Sequence, residues 1–164
     1  MIHILKANLT DLATITEIAH KTWPITYGEI LSQEQLAYML DAFYSAEALQ
    51  TNIENGHEFI LAKEADSVLG FASFEHHYQN DKTTKIHKIY MLPEAQGKGI
   101  GKLLIDTIET FAKANESNRL LLNVNRFNKA LTFYQKLGFQ IIEEIDIELD
   151  FGYLMEDYVM EKKI

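Results

Sequence analysis

The chain contains no cysteine among its 164 residues. This absence excludes a disulfide scaffold and any metal site built on thiolates. Proline is also scarce, with only Pro24 and Pro93, and both lie at predicted element boundaries. No linker, repeat or low-complexity tract interrupts the sequence, so we predict a single domain over residues 1–164.

Long apolar runs and excess positive charge are missing as well. No segment approaches the ~18 consecutive apolar residues of a membrane-spanning helix, and the N-terminus does not resemble a signal peptide. We therefore expect no membrane contact and a cytoplasmic location. Lys and Arg number 15 against 24 Asp and Glu, a net charge of −9, which argues against a nucleic-acid partner. This charge suits a cationic partner, although many proteins are acidic only for solubility.

Hydrophobic periodicity divides the chain into helices and strands. A helical pattern starts at Leu9, and we expect it to end at Trp23-Pro24 because proline disfavours the helical conformation in the residue before it. From His57 the period changes to two, which is typical of strands. The predicted order is β-α-α-α-β-β-β-α-β-α-β-β, with its last helix over Asn128–Lys136. This order predicts an α/β (α+β) fold with a mixed, mostly antiparallel central sheet flanked by helices.

The stretch "IYMLPEAQGKGIGKLL" joins a predicted strand to a long amphipathic helix. Its three glycines stand at alternate positions, namely Gly97, Gly99 and Gly101. A helix N-terminus offers unpaired N–H groups and a partial positive charge, and glycines before it let a bulky anion approach. With Lys98 and Lys102 nearby, this stretch predicts a phosphate or pyrophosphate site.

Two well-known phosphate-binding motifs do not fit this stretch. A dinucleotide fingerprint needs a glycine where this chain has Lys102. A Walker A loop needs a glycine at the position of Gln96 and Ser or Thr at that of Leu103. A glycine-rich turn without a ligand is the simpler alternative, but three glycines followed at once by a helix favour an anion site.

A third pattern does fit. The residues Gln96–Gly101 and the later block "NKALTFYQKLGF" (Asn128–Phe139) resemble two motifs of the GNAT superfamily of acetyl-CoA-dependent N-acetyltransferases. The resemblance covers most of the chain from His57 onward. The segments "KIYMLPE" and "MEDYVMEK" look most like the bacterial branch that includes spermine/spermidine acetyltransferases.

The resemblance implies the GNAT fold and acetyl-CoA as cofactor. It places the pyrophosphate of coenzyme A on the main-chain N–H groups of the glycine loop. The pantetheine arm would lie beside the preceding strand, where its amides find partners. The implied cofactor-binding residues are Ile89, Tyr90, Met91, Gln96, Gly97, Lys98, Gly99, Ile100, Gly101, Lys102, Asn128 and Tyr134.

The resemblance also implies roles in catalysis. Tyr134 matches the family tyrosine near the thioester sulfur, where a phenol with a pKa of about 10 can protonate the leaving thiolate. A core aromatic beside Phe133 is the alternative for this residue. The main chain near Met91 would donate a hydrogen bond to the carbonyl oxygen. For the base that deprotonates the amine we propose His87, which alternation puts on one face with Ile89 and Met91; a surface histidine is the alternative.

The acceptor contacts are predicted from the segment "TWPITYGEILSQEQ", where the family has its variable substrate wall. Trp23 and Tyr27 could stack on an alkyl-amine chain, although Trp23 packed in the core is the alternative. Glu75, at the end of a neighbouring strand, is a further candidate. No metal-ligand spacing such as H-E-x-x-H occurs, so we expect no metal.

The sequence therefore predicts an N-acetyltransferase whose acceptor is a primary amine of a polyamine, a small metabolite or a protein N-terminus. The amine would attack directly, because no cysteine and no G-x-S-x-G serine is present to carry the acetyl group. A non-catalytic acyl-CoA sensor of the same fold is the alternative, and the length of the acyl group stays open. The C-terminal strand carries Tyr153, Met155 and Val159 on one face, which could serve a homodimer.

Overall fold

The computed structural model describes all residues from Met1 to Ile164. Its seven strands are β1 (Ile2–Lys6), β2 (Glu58–Glu64), β3 (Ser67–Glu75), β4 (Thr83–Met91), β5 (Arg119–Asn125), β6 (Gln140–Glu148) and β7 (Leu154–Lys163). Its five α-helices are α1 (Leu12–Tyr27), α2 (Gln33–Tyr44), α3 (Ala46–Glu54), α4 (Ile100–Ala114) and α5 (Ala130–Lys136). Short 3-10 turns lie at Leu9–Asp11, Tyr78–Asn80, Pro93–Ala95 and Asp150–Gly152. None of the helices combines the length and the apolar composition needed to cross a bilayer.

All seven strands form one sheet in the order β1-β2-β3-β4-β5-β7-β6. Only the central pair β4 and β5 is parallel, and the other neighbours are antiparallel. Helices cover both faces of this sheet. On one face the ring of Tyr44 in α2 lies 5.3 Å from Nζ of Lys88 in β4. On the other, α4 buries an apolar face that includes Leu104 and Ile108. The predicted mixed, mostly antiparallel sheet flanked by helices is confirmed.

The two central strands pair over only part of their length. The parallel ladder joins residues 83–86 of β4 to residues 119–122 of β5 and stops there, although both strands continue. Beyond this point the edges of β4 and β5 have no hydrogen bonds to each other. The middle of the sheet therefore opens into a gap on the side towards α4 and α5.

A β-bulge lies where the ladder stops. Ser73 in β3 is opposite Lys88 of β4. The next residue of β3, Phe74, is opposite Ile86. His87 is therefore the extra residue of the bulge, which bends β4 and interrupts pairing.

The prediction that His87 shares a face with Ile89 and Met91 is wrong. The extra residue interrupts the regular alternation of side chains between the bulge and the end of the strand. The imidazole of His87 stacks on that of His57, with 4.0 Å between ring centroids. It lines the same cavity as Lys88, on the face covered by α1 and α2.

The first helix does not end at Trp23-Pro24. α1 continues to Tyr27, and the N–H of Gly28 donates to the carbonyl oxygen of Pro24 at 2.9 Å. Proline has no N–H, so the helix lacks one hydrogen bond at this point. The rings of Trp23 and Tyr27 are both buried, however, and burial of two aromatic side chains outweighs the local bias against helix.

The C-terminal strand β7 lies inside the sheet, between β5 and β6. Its predicted dimer face is covered by the chain itself. Tyr153 packs against Tyr38 at 5.5 Å between ring centroids, Met155 lines a cavity, and Val159 is buried. These side chains are therefore at least partly covered within the chain, and the homodimer stays a prediction.

Candidate active site

The loop before α4 presents unpaired main-chain N–H groups. From Gly97 to Lys102 no N–H donates a hydrogen bond to an acceptor in the protein, whereas the amides of Gln96 and Leu103 on either side are paired. Gly97 and Gly99 have φ of 83° and 73°, which favours glycine, and a Cβ at either would meet no atom within 4 Å. The loop is thus an open cradle at a helix N-terminus, suited to an anion.

Gly101 has a different role from the first two glycines. A Cβ at this position would lie 2.9 Å from Cε of Met91 and 2.9 Å from Cζ of Phe133. Its missing side chain lets α4 pack closely against β4 and α5. The side chain of Ile100 is buried in the core, so only its main chain is available to a ligand.

The two lysines of the loop are engaged in exposed ion pairs. Nζ of Lys98 lies 2.9 Å from Glu64, and Nζ of Lys102 lies 2.6 Å from Asp106. Exposed pairs of this kind contribute little to stability, so either ammonium can turn towards a phosphate. Gln96 is exposed at the end of the preceding turn. All predicted loop residues therefore come together at one helix N-terminus.

Strand β4 has an unpaired edge next to this loop. The N–H of Leu92 donates to the carbonyl oxygen of Leu69 at 2.8 Å, which sets the alternation of hydrogen bonds between β3 and β4. By this alternation the main-chain groups of Ile89 and Met91 point away from β3 and into the gap, where β5 does not pair with them. An extended ligand with amide groups can pair there like an added strand. The open cradle and this edge together fit the diphosphate and the amide-bearing arm of coenzyme A.

Three tyrosines lie near the gap. The hydroxyl groups of Tyr27 and Tyr90 are 2.9 Å apart. Tyr134 is buried, and burial, with a smaller contribution from Tyr27, raises the pKa of its hydroxyl well above the usual value. The hydroxyl of Tyr134 therefore stays protonated at neutral pH.

Asn128 lies at the start of α5. Its Oδ1 accepts a hydrogen bond from the N–H of Ala130 at 2.9 Å, and α5 therefore begins at Ala130, two residues later than predicted. One side of the amide is thus used within the protein, and the Nδ2 group is the part that can reach a cofactor.

A cavity of about 200 Å³ lies between the sheet and helices α1 and α2. Aromatic side chains form much of its wall, including Trp23, Tyr27, Phe43 and Tyr44. Trp23 is only 4% exposed and packs on Tyr27 with 4.6 Å between ring centroids. The two interpretations of Trp23 are therefore compatible, because it belongs to the core and also lines the cavity.

The cavity also contains charged side chains that the sequence analysis missed. Lys85 and Lys88 reach it from β4, and Asp157 reaches it from β7. Burial raises the pKa of Asp157, partly offset by a hydrogen bond from Asn123 and the charge of Lys85. Burial lowers the pKa of Lys88 to about 8 and also lowers that of Lys85. The only signal in the sequence is charge within otherwise apolar strands, which does not reveal what each side chain faces.

His57, Glu75 and His87 form a cluster at the side of this cavity. Oε1 of Glu75 accepts from Nε2 of His87 at 2.9 Å and lies 3.4 Å from Nε2 of His57. Burial, followed by the charges of Lys85 and Lys88, lowers the pKa of His87 to about 3. Burial, followed by His87, lowers that of His57 to about 4. Both imidazoles are therefore neutral at pH 7, and Glu75 contacts His87 without lining the cavity itself.

The side chains of His57, Glu75 and His87 are also close enough together to be considered as ligands of a metal ion. Their ligand atoms all lie within 4.8 Å of one another. The ammonium groups of Lys85 and Lys88 are close enough to lower the pKa of His87, and they would also repel a divalent cation. We assign no metal to this cluster, and the expected absence of a metal stays a prediction.

An anion cradle at a helix start, beside two parallel strands that separate and a buried tyrosine, fits a transferase that uses an acyl-CoA. Residues 29–149 match the family described as "Acetyltransferase (GNAT) domain". The chain therefore belongs to the GNAT acetyltransferase family.

Similar proteins agree with this assignment. A spermidine N(1)-acetyltransferase of Thermoplasma acidophilum is 31% identical over 168 residues, which cover 99% of this chain and 97% of the relative. The crystal structure of the PaiA N-acetyltransferase of Thermoplasma acidophilum, in complex with coenzyme A, is 28% identical with a TM-score of 0.83 and covers 100% of this chain and 99% of that one. A GCN5-related N-acetyltransferase from Rhodopseudomonas palustris shares the fold at 20% identity, with a TM-score of 0.84 and coverage of 99% and 95%.

These matches confirm the predicted fold, cofactor and enzyme class. The chain is an N-acetyltransferase that uses acetyl-CoA. Nothing among them favours the alternative of a non-catalytic acyl-CoA sensor.

Proposed function

We propose that the chain acetylates a small primary amine in the cavity by direct attack, with acetyl-CoA and the amine bound at the same time. The observation that carries this proposal is the row of unpaired N–H groups from Gly97 to Lys102, next to the unpaired edge of β4 and the cavity. When bound, acetyl-CoA supplies an electrophilic thioester carbonyl. The residues of the chain bind and orient both substrates and move two protons.

Three groups of residues would hold the cofactor. The loop from Gln96 to Lys102 would bind the diphosphate through main-chain N–H groups, with the lysine side chains as additional partners. Ile89 and Met91 would pair with the pantetheine amides, and the N–H of Met91 would serve the carbonyl oxygen. Asn128 would donate from Nδ2. Tyr90, whose main-chain groups face β3, contributes its side chain to the cavity wall.

Tyr134 would be the proton donor to the leaving sulfur. Its raised pKa keeps the phenol protonated, and it is the buried tyrosine of α5, the helix that follows β5 at the gap in the sheet. A positioned acid of this kind contributes about 10²- to 10⁴-fold to a rate.

Asp157 would take the proton from the amine. It lines the cavity, it is 4% exposed, and burial raises its pKa, which makes the carboxylate a stronger proton acceptor. His87, the base predicted from the sequence, has a pKa of about 3, which makes its imidazole a weak proton acceptor. We therefore assign it a supporting role beside Glu75, and its part in proton transfer stays a prediction.

The acceptor would be a small molecule. The cavity volume of about 200 Å³ is below the roughly 300–1,000 Å³ of pockets that hold drug-sized ligands, which favours a metabolite amine over a protein N-terminus. Trp23 and Tyr27 would contact its apolar part. The Thermoplasma relative acts by name on spermidine, so a polyamine is a candidate acceptor. A cytoplasmic location and the length of the acyl group stay predictions.

A thiol-release screen tests this proposal. Acetyl-CoA would be incubated with polyamines, amino acids and N-terminal peptides, and free thiol measured over time. Amine-dependent thiol release supports the proposal. Stabilisation by coenzyme A in a heat-shift assay, without thiol release by any amine, would contradict the catalytic assignment and leave cofactor binding intact.

A further inference from the structure

Two ammonium groups in the acceptor cavity have no ionic partner. Nζ of Lys85 donates to Oδ1 of Asn123 at 3.0 Å. Nζ of Lys88 donates to Oδ1 of Asn52 at 3.1 Å and lies 5.3 Å from the centroid of the Tyr44 ring. Each ammonium has three N–H donors, so each keeps donors that no protein acceptor uses.

Other partly buried cations in the protein are paired with carboxylates. Arg119 contacts Glu161 at 3.0 Å, and Lys162 contacts Glu109 at 3.0 Å. A charge taken out of water is costly unless a counter-charge or hydrogen bonds compensate it. The two cavity lysines are exceptions to this arrangement, and they line the site where the acceptor binds.

Of the two carboxylates near the lysines, Glu75 is engaged by imidazoles and Asp157 forms no ion pair with either lysine. Glu75 is held by the imidazoles of His57 and His87, which are neutral at pH 7. Asp157 lies on β7 and lines the same cavity as the lysines of β4, and its charge opposes the effect of burial on the pKa of Lys85. A polyamine would add one or two more positive charges beside two unpaired ammonium groups, which is electrostatically unfavourable.

We propose that the acceptor is a primary amine that carries a carboxylate, that is, an amino acid, with its carboxylate between Lys85 and Lys88. Its amine is held by Asp157, and its side chain lies against the aromatic wall. This proposal rests on the function proposed above. The bond between the amine nitrogen and the acetyl carbon forms while the carbon–sulfur bond breaks. The amine reacts in its neutral form and gives one proton to Asp157, and the hydroxyl proton of Tyr134 goes to the sulfur. Asp157 then releases its proton to solvent and the phenolate of Tyr134 takes one up from solvent, which restores both side chains.

Matched pairs of acceptors test the proposal. Thiol release would be measured with L-phenylalanine against phenethylamine and L-lysine against cadaverine, with spermidine as a further amine. We expect the carboxylate-bearing member of each pair to have a kcat/KM roughly 10- to 100-fold higher, because a lost hydrogen bond to a charged group is of that size. Lys88→Met should remove most of this preference through KM. Lys113→Met, at an exposed lysine, is the control and should keep it.

Equal or better turnover of the amines without a carboxylate would overturn this inference while leaving the proposed function intact. A preference for carboxylate-bearing acceptors that is the same in Lys88→Met as in the parent would also overturn this inference.

If no amine releases thiol, the proposed function fails and binding decides the inference. Heat-shift assays with coenzyme A would compare N-acetylphenylalanine with N-acetylphenylalaninamide. Stabilisation by the acid alone, lost in Lys88→Met, supports a carboxylate site. Equal stabilisation by both compounds, or by neither, overturns it.

Discussion

Replacing Lys88 by methionine should make the ligand-free protein more stable at pH 7. Burial lowers the pKa of Lys88 from 10.5 to about 8. The difference, 10.5 − 8, corresponds to about 3 kcal/mol by which folding disfavours the charged ammonium at neutral pH. Methionine keeps a long unbranched side chain without the charge.

Two favourable contacts of Lys88 oppose this gain. Its hydrogen bond to Asn52 and its position over the ring of Tyr44 together contribute about 1–2 kcal/mol. The net gain in the free energy of unfolding is then about 1–2 kcal/mol, or roughly 2–8 °C in Tm for a chain of this size. Because the folded pKa is lower than the unfolded one, the penalty is complete below pH 8. It disappears as the pH rises towards 10.5, and the gain of the variant should shrink over that range.

Urea unfolding at pH 7 and pH 10 measures this effect. The parent, Lys88→Met and the exposed control Lys113→Met would be compared under identical conditions. A Lys88→Met protein no more stable than the parent at pH 7 would refute the argument that this buried charge is unpaired. A gain of equal size at pH 10 would show that it has a cause other than the charge.

Three further variants test the catalytic assignments. Tyr134→Phe should lower kcat about 100-fold or more with coenzyme A affinity unchanged in calorimetry, and unchanged turnover would remove the hydroxyl from the mechanism. Asp157→Asn should abolish turnover yet raise Tm at pH 8. Because burial raises the pKa of Asp157, the parent protein loses stability as the pH rises through that pKa and the carboxyl group becomes charged. At pH 3 the group is protonated, so a Tm gain of the variant as large at pH 3 as at pH 8 would contradict the burial argument. His87→Ala should keep the acidic limb of the kcat/KM profile between pH 5 and 8, since a pKa of about 3 lies outside that range; a displaced limb would make His87 the base.

The open loop before α4 could be predicted from the sequence because its geometry is local. Gly97 and Gly99 adopt left-handed conformations that depend on their own backbone, and α4 begins directly after them. The spacing of glycines and the following apolar period are both visible in the sequence. The role of Gly101 was not visible, because it depends on contacts with Met91 and Phe133 from other elements.

The cavity between the sheet and helices α1 and α2 could not be predicted, because its lining depends on contacts between elements that are distant in the sequence. His87 changes face because of a bulge that is set by pairing between β3 and β4. Lys85, Lys88 and Asp157 become cavity residues only when the sheet order places β4, β5 and β7 side by side. The passage of α1 through Pro24 likewise depends on burial of aromatic rings, which a local rule does not include.

Calorimetric titration of coenzyme A into the parent protein and into Gly99→Leu tests the central claim most directly. We predict that the parent binds and that Gly99→Leu loses at least about tenfold in affinity, because the side chain would project into the open cradle. Gly152→Leu is the matched control, since its φ of 76° and open surroundings are similar but it lies outside the loop, and it should bind like the parent. Parent-like binding by Gly99→Leu, or no binding by the parent, would contradict the account.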